Sequence, residues 1–219
     1  MTLDTETDAS KPIRADARRN RERVLDAARA CFARSGKEAQ IDEVAAAAGV
    51  GVGTVYRHFA TKEALVAALA AEHFAGETRV AEAALEIDDP WQAFSTFVRQ
   101  GAELMAENRA IAQIAADRPE VMLGAALAAD AELGFFGTVQ TLIDRAKTAG
   151  ELRADFEFED IPAVMCSLGA LQVSAGAYAS WRRLLEIMLD GLHCAGSAKL
   201  PPVQERLPRA GPGRSTRSC

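Results

Sequence analysis

Apolar residues recur along this chain at three- and four-residue intervals almost from end to end. Over 18–34, Val24, Ala27, Ala28, Cys31 and Phe32 form one stripe with charges opposite, the mark of an amphipathic helix that Gly36 should stop. Short helices are expected over 41–48 and 52–59. Thr61 is a good N-cap for a fourth helix running to about residue 85, with Glu63 in its first turn. Asp89 and Pro90 open a fifth, because Asp caps and Pro suits the first helical position; it should end near residue 108. A short sixth is expected over 109–116, another from Pro119, and a long one over 129–148 stopped by Gly150. Helices over 161–175 and 178–193 complete the set. No alternating run or two-residue hairpin signal competes, so the fold class is all-α with about nine to ten helices.

Composition agrees. Aromatics make up 6% of the chain and alanine is abundant, which favours helix over strand. Residues 160–182 include a long uncharged stretch, but its Pro162, serines and glycines fit a helix buried between protein surfaces better than a membrane span. The first ten residues carry three acids and no apolar run, so no signal peptide is expected there. Four cysteines without C-x-x-C or zinc spacing read as reduced thiols of a cytoplasmic protein, with no cofactor and no metal expected.

The formal net charge of −6 argues against a protein coated in positive charge. Its distribution changes that picture. Residues 11–62 hold 11 basic and 6 acidic side chains, net +5; residues 63–195 hold 9 and 21, net −12. The last 24 residues, rich in proline, hold 5 basic and 1 acidic. Four parts are expected: a disordered arm over 1–13, a basic unit over 14–62, an acidic helical body over 63–195, and a disordered basic tail over 196–219.

The segment from Ile41 to Phe59 meets the demands of a helix-turn-helix. Ala45 is small where two helices must cross, and Gly49 can take the positive φ of the turn. Val44, Ala48, Val50, Val55 and Phe59 are spaced to fill the core between them. Gly51-Val52-Gly53-Thr54-Val55-Tyr56-Arg57-His58-Phe59, followed by Ala60-Thr61-Lys62-Glu63-Ala64-Leu65, resembles the signature of TetR-family transcriptional regulators. The preceding helix, with Arg21, Val24, Leu25, Ala27, Ala28 and Phe32, is similar to the family's first helix. Beyond residue 70 the likeness is one of architecture.

That resemblance implies a set of DNA contacts. Tyr56 and Lys62 would meet phosphates, Lys62 aided by the positive end of its helix. Thr54 would touch phosphate or base, and Val52 a thymine methyl. Gly53 would let the backbone approach, and Arg57 would present its fork to guanine. His58 reads chiefly as a bridge to the first helix and secondarily as a DNA contact. Two positions depart from the family pattern. Gln40 stands where a Ser or Thr usually caps the second helix, leaving any contact to its amide, and Gly51 replaces the side-chain cap of the third. Among the basic residues Lys11, Arg14, Arg18, Arg19, Arg21 and Arg23, the best phosphate candidates are Arg14, Arg18 and Arg19.

The resemblance also implies a homodimer with a small-molecule effector, apolar or amphipathic. Candidate ligand contacts are Trp91, Phe94, Phe97, Val98, Gly101 and Met105 at helical spacing, faced by Met122, Phe135, Phe136, Val139, Met165 and Leu168. Gln100, Gln113, Arg118 and Gln172 are possible orienting groups. Candidate dimer residues are Ala163, Gly169, Ala170, Val173, Trp181, Leu184, Leu185, Met188 and Leu192, as in a four-helix interface between subunits. The expected function is therefore a ligand-responsive repressor on a pseudo-palindromic double-stranded DNA operator. Two other readings compete. An effector-independent DNA-binding protein would lack an enclosed pocket near Trp91 and Phe135. An all-α enzyme finds no support in any nucleophile, phosphate or metal motif.

Overall fold

The computed structural model describes residues 10–174 and 181–193, and among them lie ten α-helices and no strand. The expected disordered arm over 1–9 and tail over 196–219 lie outside the described residues, as do the side chains of Arg14 and Val173. Helix α1 spans Ser10–Ser35, a 3₁₀ turn Gly36–Glu38, α2 Ile41–Ala48, α3 Val52–His58 and α4 Lys62–Leu85. Then come α5 Pro90–Glu107, α6 Arg109–Asp117, α7 Pro119–Leu133, α8 Phe135–Thr148, α9 Asp160–Ser174 and α10 Trp181–Leu192.

Two expected boundaries are corrected. The first helix, expected over 18–34, runs from Ser10 to Ser35. Pro12 sits in its first turn, where the missing N–H costs nothing, and Arg18–Glu22 and Arg19–Asp16 pairs support its exposed side. The long helix expected over 129–148 is two helices. Gly134 takes a φ of 67° and the axis turns by 85°. Asp130, in the last turn of α7, accepts a hydrogen bond at 2.9 Å from the Phe136 N–H, so its carboxylate caps α8 across the bend. The caps expected at α4 and α5 are in place: Thr61 Oγ1 accepts from the Ala64 N–H at 3.1 Å, and Asp89 Oδ1 from the Gln92 N–H at 2.6 Å.

The apolar stripes pack into two cores. The first joins Val24, Leu25, Ala28, Cys31 and Phe32 of α1 with Val44, Ala48, Val55 and Phe59. Leu65, Val66 and Leu69 of α4 and Ala110, Ile111 and Ile114 of α6 complete it. The second gathers Ala81 and Ala84 of α4 with α5, α8, α9 and α10 around Phe94, Phe97, Leu142, Ile143, Phe156 and Leu168. Helix α4, a rod of about 36 Å at the usual helical rise, enters both. Arg145 of α8 fastens its far end by donating to the carbonyls of Leu85, Ile87 and Asp88 at 2.8, 2.7 and 3.1 Å. No single described helix is long and apolar enough to cross a membrane; the bent α7–α8 pair passes by length and composition only.

Candidate DNA-reading helix and effector cavity

The turn between α2 and α3 is built as its residues require. Gly49 sits at φ 65°, ψ 37°, and its N–H and that of Val50 return to the last carbonyls of α2. Arg23 of α1 donates to the Ala48 carbonyl at 2.7 Å, so the first helix also holds the turn. Val55 is wholly buried and Phe59 nearly so, which fixes the rotation of α3 about its axis. That rotation leaves Val52, Gly53, Tyr56 and Arg57 exposed and Thr54 and His58 half-buried. Tyr56 and Val52 are among the few large apolar side chains on the surface, which is unusual enough to mark a contact face.

The neighbouring candidates divide. Arg18 and Arg19 are exposed, with partners only on their own helix. Arg21 lies 5.3 Å from the Phe59 ring centre and pairs with Glu72, and Arg23 holds the turn, so these two serve the scaffold. Gln40 makes no side-chain cap on α2, and one N–H of its exposed amide donates to the Glu38 carbonyl at 2.8 Å. Gly51 caps α3 without a side chain. Lys62 begins α4 with its ammonium 5.8 Å from the Phe32 ring centre. Beside it, Glu63 meets Arg118 at 3.6 Å, at the junction of α6 and α7.

The body holds a partly open cavity of about 240 Å³ between α4, α5, α6, α7, α8 and α9, with exposed Pro162 and Cys166 at its rim. Of the expected ligand residues, Phe97, Met105, Met122, Phe135, Phe136 and Met165 line it. Trp91, Phe94, Val98, Val139 and Leu168 do not; they pack in or against the second core, and Trp91 stacks on His193 with ring centres 4.2 Å apart. Gly101 stands just behind the wall, where a Cβ would lie 2.9 Å from Glu77 Oε2. The polar candidates lie elsewhere. Gln113 donates to Asp117, Arg118 pairs with Glu63, Gln100 is exposed, and the Gln172 side chain lies outside the described residues.

Sequence reasoning missed the cavity's polar corner, His73 and Glu77, and the lining residues Phe74, Ala115 and Phe158. A signal was present. Val66, Leu69, Ala70, His73 and Glu77 share one stripe of α4, and a carboxylate on an otherwise apolar stripe is out of place. Nε2 of His73 and Oε1 of Glu77 are 3.6 Å apart. Burial pushes the His73 imidazole down to about 4 and the Glu77 carboxyl up to about 7, so the imidazole is neutral near pH 7 and the contact is not an ion pair there. Burial also raises the Cys166 thiol at the cavity's edge.

The dimer candidates also divide. Gly169 and Leu185 face inward: Leu185 belongs to the second core, and a Cβ on Gly169 would lie 2.9 Å from Met105 Sδ. Trp181, Leu184, Met188 and Leu192 are half-buried against the same core. Ala163 and Ala170 are exposed, as are Cys166 and Ser167 between them. Helix α10 is clamped to α5 by two forked pairs, Arg99–Glu186 at 2.8 and 2.9 Å and Arg182–Glu103 at 2.9 and 2.7 Å.

Comparison with known proteins agrees with this arrangement. Residues 24–69 match the model of bacterial regulatory proteins of the TetR family, and residues 89–194 that of the SbtR-like transcriptional regulator C-terminal domain. A TetR transcription regulatory protein from Mycobacterium vanbaalenii is 35% identical, with 83% of this chain and 99% of that one covered and a TM-score of 0.55. A TetR transcriptional regulator from Streptomyces coelicolor is 27% identical, covering 80% and 99%, with a TM-score of 0.53. The ketosteroid transcriptional regulator of Mycobacterium tuberculosis, 18% identical over 79% of this chain and 94% of its own, shares the fold with a TM-score of 0.60. No curated protein matches the chain. A helix-turn-helix held by two cores, matched in sequence across nearly the whole length of a solved regulator, identifies the chain as a member of the TetR family of transcriptional regulators.

Proposed function

We propose that this protein is a ligand-responsive repressor that binds a pseudo-palindromic operator as a homodimer. The observation that carries the reading is the outward face of α3. Val52, Gly53, Tyr56 and Arg57 are solvent-exposed on a helix whose rotation is locked by buried Val55 and Phe59. Arg57 reads a guanine, Val52 packs against a thymine methyl, and Tyr56, Lys62, Arg18 and Arg19 hold phosphates. Residues 14–62 form the reading unit and 63–195 the effector and dimer unit, with α4 continuous between their cores. Dimer contacts run along the small, uncharged outer stripe of α9, Ala163, Cys166, Ser167 and Ala170, joined by exposed Ile187 of α10.

The cavity supports an effector over an effector-independent protein. Ala115, Pro119 and Met122 line it at the α6–α7 junction. The same helix α6 packs Ala110, Ile111 and Ile114 on the reading unit, and Arg118 between α6 and α7 pairs with Glu63 beside Lys62. An occupant of the cavity therefore bears on the helix that seats the reading head. It shifts the population only if it binds two subunit arrangements with different affinity.

The test is an anisotropy titration against the DNA flanking the protein's own gene. Tyr56→Ala and Lys62→Ala should each weaken binding by about tenfold, and Lys62→Ala alone should also lower the salt slope by roughly one. Binding unchanged by both substitutions overturns the interface.

A further inference from the structure

The cavity assigned above to the effector holds two groups that neither packing nor DNA reading uses. His73 and Glu77 stand one turn apart on α4, with side chains 3% and 7% exposed. Their 3.6 Å separation is longer than an ordinary hydrogen bond. Among the described residues, no Lys or Arg forms an ion pair with Glu77. The carboxyl is lodged where α5 carries Gly101: a Cβ there would lie 2.9 Å from Oε2 and 3.3 Å from Met165 Cε. The rest of the wall is almost entirely apolar, with Phe74, Phe97, Phe135 and Phe136 among its rings.

A buried carboxyl without a charged or donor partner opposes folding, so its presence in a cavity asks for a ligand that satisfies it. Aromatic faces around the same space favour a cation, because the ring quadrupole attracts positive charge. We propose that the effector is a lipophilic amine whose ammonium pairs with Glu77 while its apolar body lies against the phenylalanine rings. The neutral His73 imidazole offers a lone pair to a second N–H of the same ammonium. A carboxylate ligand could bind here only by sharing a proton with Glu77, so it is disfavoured against an ammonium. The volume, about 240 Å³, lies just below the usual range of roughly 300–1,000 Å³ for drug-sized sites, so the amine is small, with one ring or a short chain. The inference rests on the effector reading of this cavity.

Three probes with one body and different heads test it: phenylbutylamine, phenylbutanol and phenylbutanoate, titrated into the full chain by calorimetry at neutral pH. The amine should bind at least about tenfold more tightly than the alcohol, with the carboxylate weakest. Glu77→Gln should bring the amine down to the alcohol's level while leaving the alcohol within about threefold. In the unmodified protein, amine binding should release protons near neutral pH, read from the heats in two buffers of different ionisation enthalpy, whereas the alcohol releases none. This second readout does not depend on the variant folding. A carboxylate that binds best, a preference for the amine that survives Glu77→Gln, or amine binding without proton release overturns the proposal. Ala126→Trp, which fills the cavity, should abolish binding of all three. Alcohol binding blocked by Ala126→Trp but without amine preference overturns the amine and leaves the effector cavity standing. Binding of none, or binding that Ala126→Trp does not touch, counts against both.

Discussion

The reading unit and the effector cavity handle polar groups in opposite ways. On α3 the candidate contact residues Val52, Tyr56 and Arg57 are outside, while Val55 and, at the helix's end, Phe59 are inside, so chemistry and stability occupy separate faces. In the cavity the polar pair His73 and Glu77 is inside, among the residues that hold the fold together. An exposed functional group is free to change without loss of stability. A buried one is coupled to stability through its desolvation, and its charge state becomes a property of the fold. One protein thus carries a site whose function and folding separate and a site where they do not.

The largest expected effect breaks the reading unit from within. Val55→Asp puts an unpaired carboxylate into the first core and should cost about 3–5 kcal/mol, seen as a large drop in melting temperature. Tyr56→Ala, one residue on and half exposed, should stay within about 0.5 kcal/mol of the parent while losing DNA affinity. If the two melt alike, the separation of faces on α3 fails.

A smaller effect probes the cavity. Gly101→Ala should destabilise by about 1–3 kcal/mol, because its methyl meets the Glu77 carboxyl at 2.9 Å in a packed wall. Adding Glu77→Ala should recover part of that loss, a coupling that denaturant melts of the two single variants and the double would read.

The third expectation is a pair of opposed pH slopes. Glu77 is raised from 4.5 to about 7 by burial, so its contribution is full below 4.5 and is lost as pH rises toward 7. His73 is lowered from 6.5 to about 4, so its contribution is full above 6.5 and is lost as pH falls toward 4. Between roughly pH 4.5 and 6.5 the two slopes, each about 1.4 kcal/mol per pH unit at most, oppose each other in the parent protein. Glu77→Gln should therefore make stability more acid-sensitive than in the parent, and His73→Gln should make it fall as pH rises. Melts across pH 4–8 that shift in the same direction for both variants would sink this account.

The difference between the regions also explains what was legible. Most of what builds the reading unit's turn and exposed face is short-range, the bond from Arg23 to the Ala48 carbonyl being the exception. The Gly49 turn, the buried Val55 and Phe59 and the Thr61 cap lie within about twenty consecutive residues, where helical spacing assigns inside and outside directly. The cavity draws a few residues from each of several helices and one from the loop before α9, and spacing says of most only that they are apolar. Trp91 and Phe97 sit on the same helix with the same apolar character, yet one stacks on His193 and the other lines the cavity. Apolar spacing alone shows no break at Gly134, since Leu133, Phe135 and Phe136 continue the apolar run on both sides. The break depends on Asp130 capping α8 from across the bend, a contact that exists only once the chain has turned.

The order of local elements was therefore settled by the sequence alone: an all-α chain, a helix-turn-helix with a basic block of +5 on an acidic body of −12, and the residues α3 turns outward. These follow from periodicity, capping and glycine conformations, which act over a few residues. Tertiary structure alone decided which apolar residues became core and which became wall. It also decided that Arg118 reaches Glu63 beside the reading unit, and that His73 and Glu77, neighbours by spacing on α4, are buried against α5 and α9. Those outcomes depend on the angles at which helices pack. The packing angles depend on side-chain shape summed over the whole core rather than on any local run of the chain.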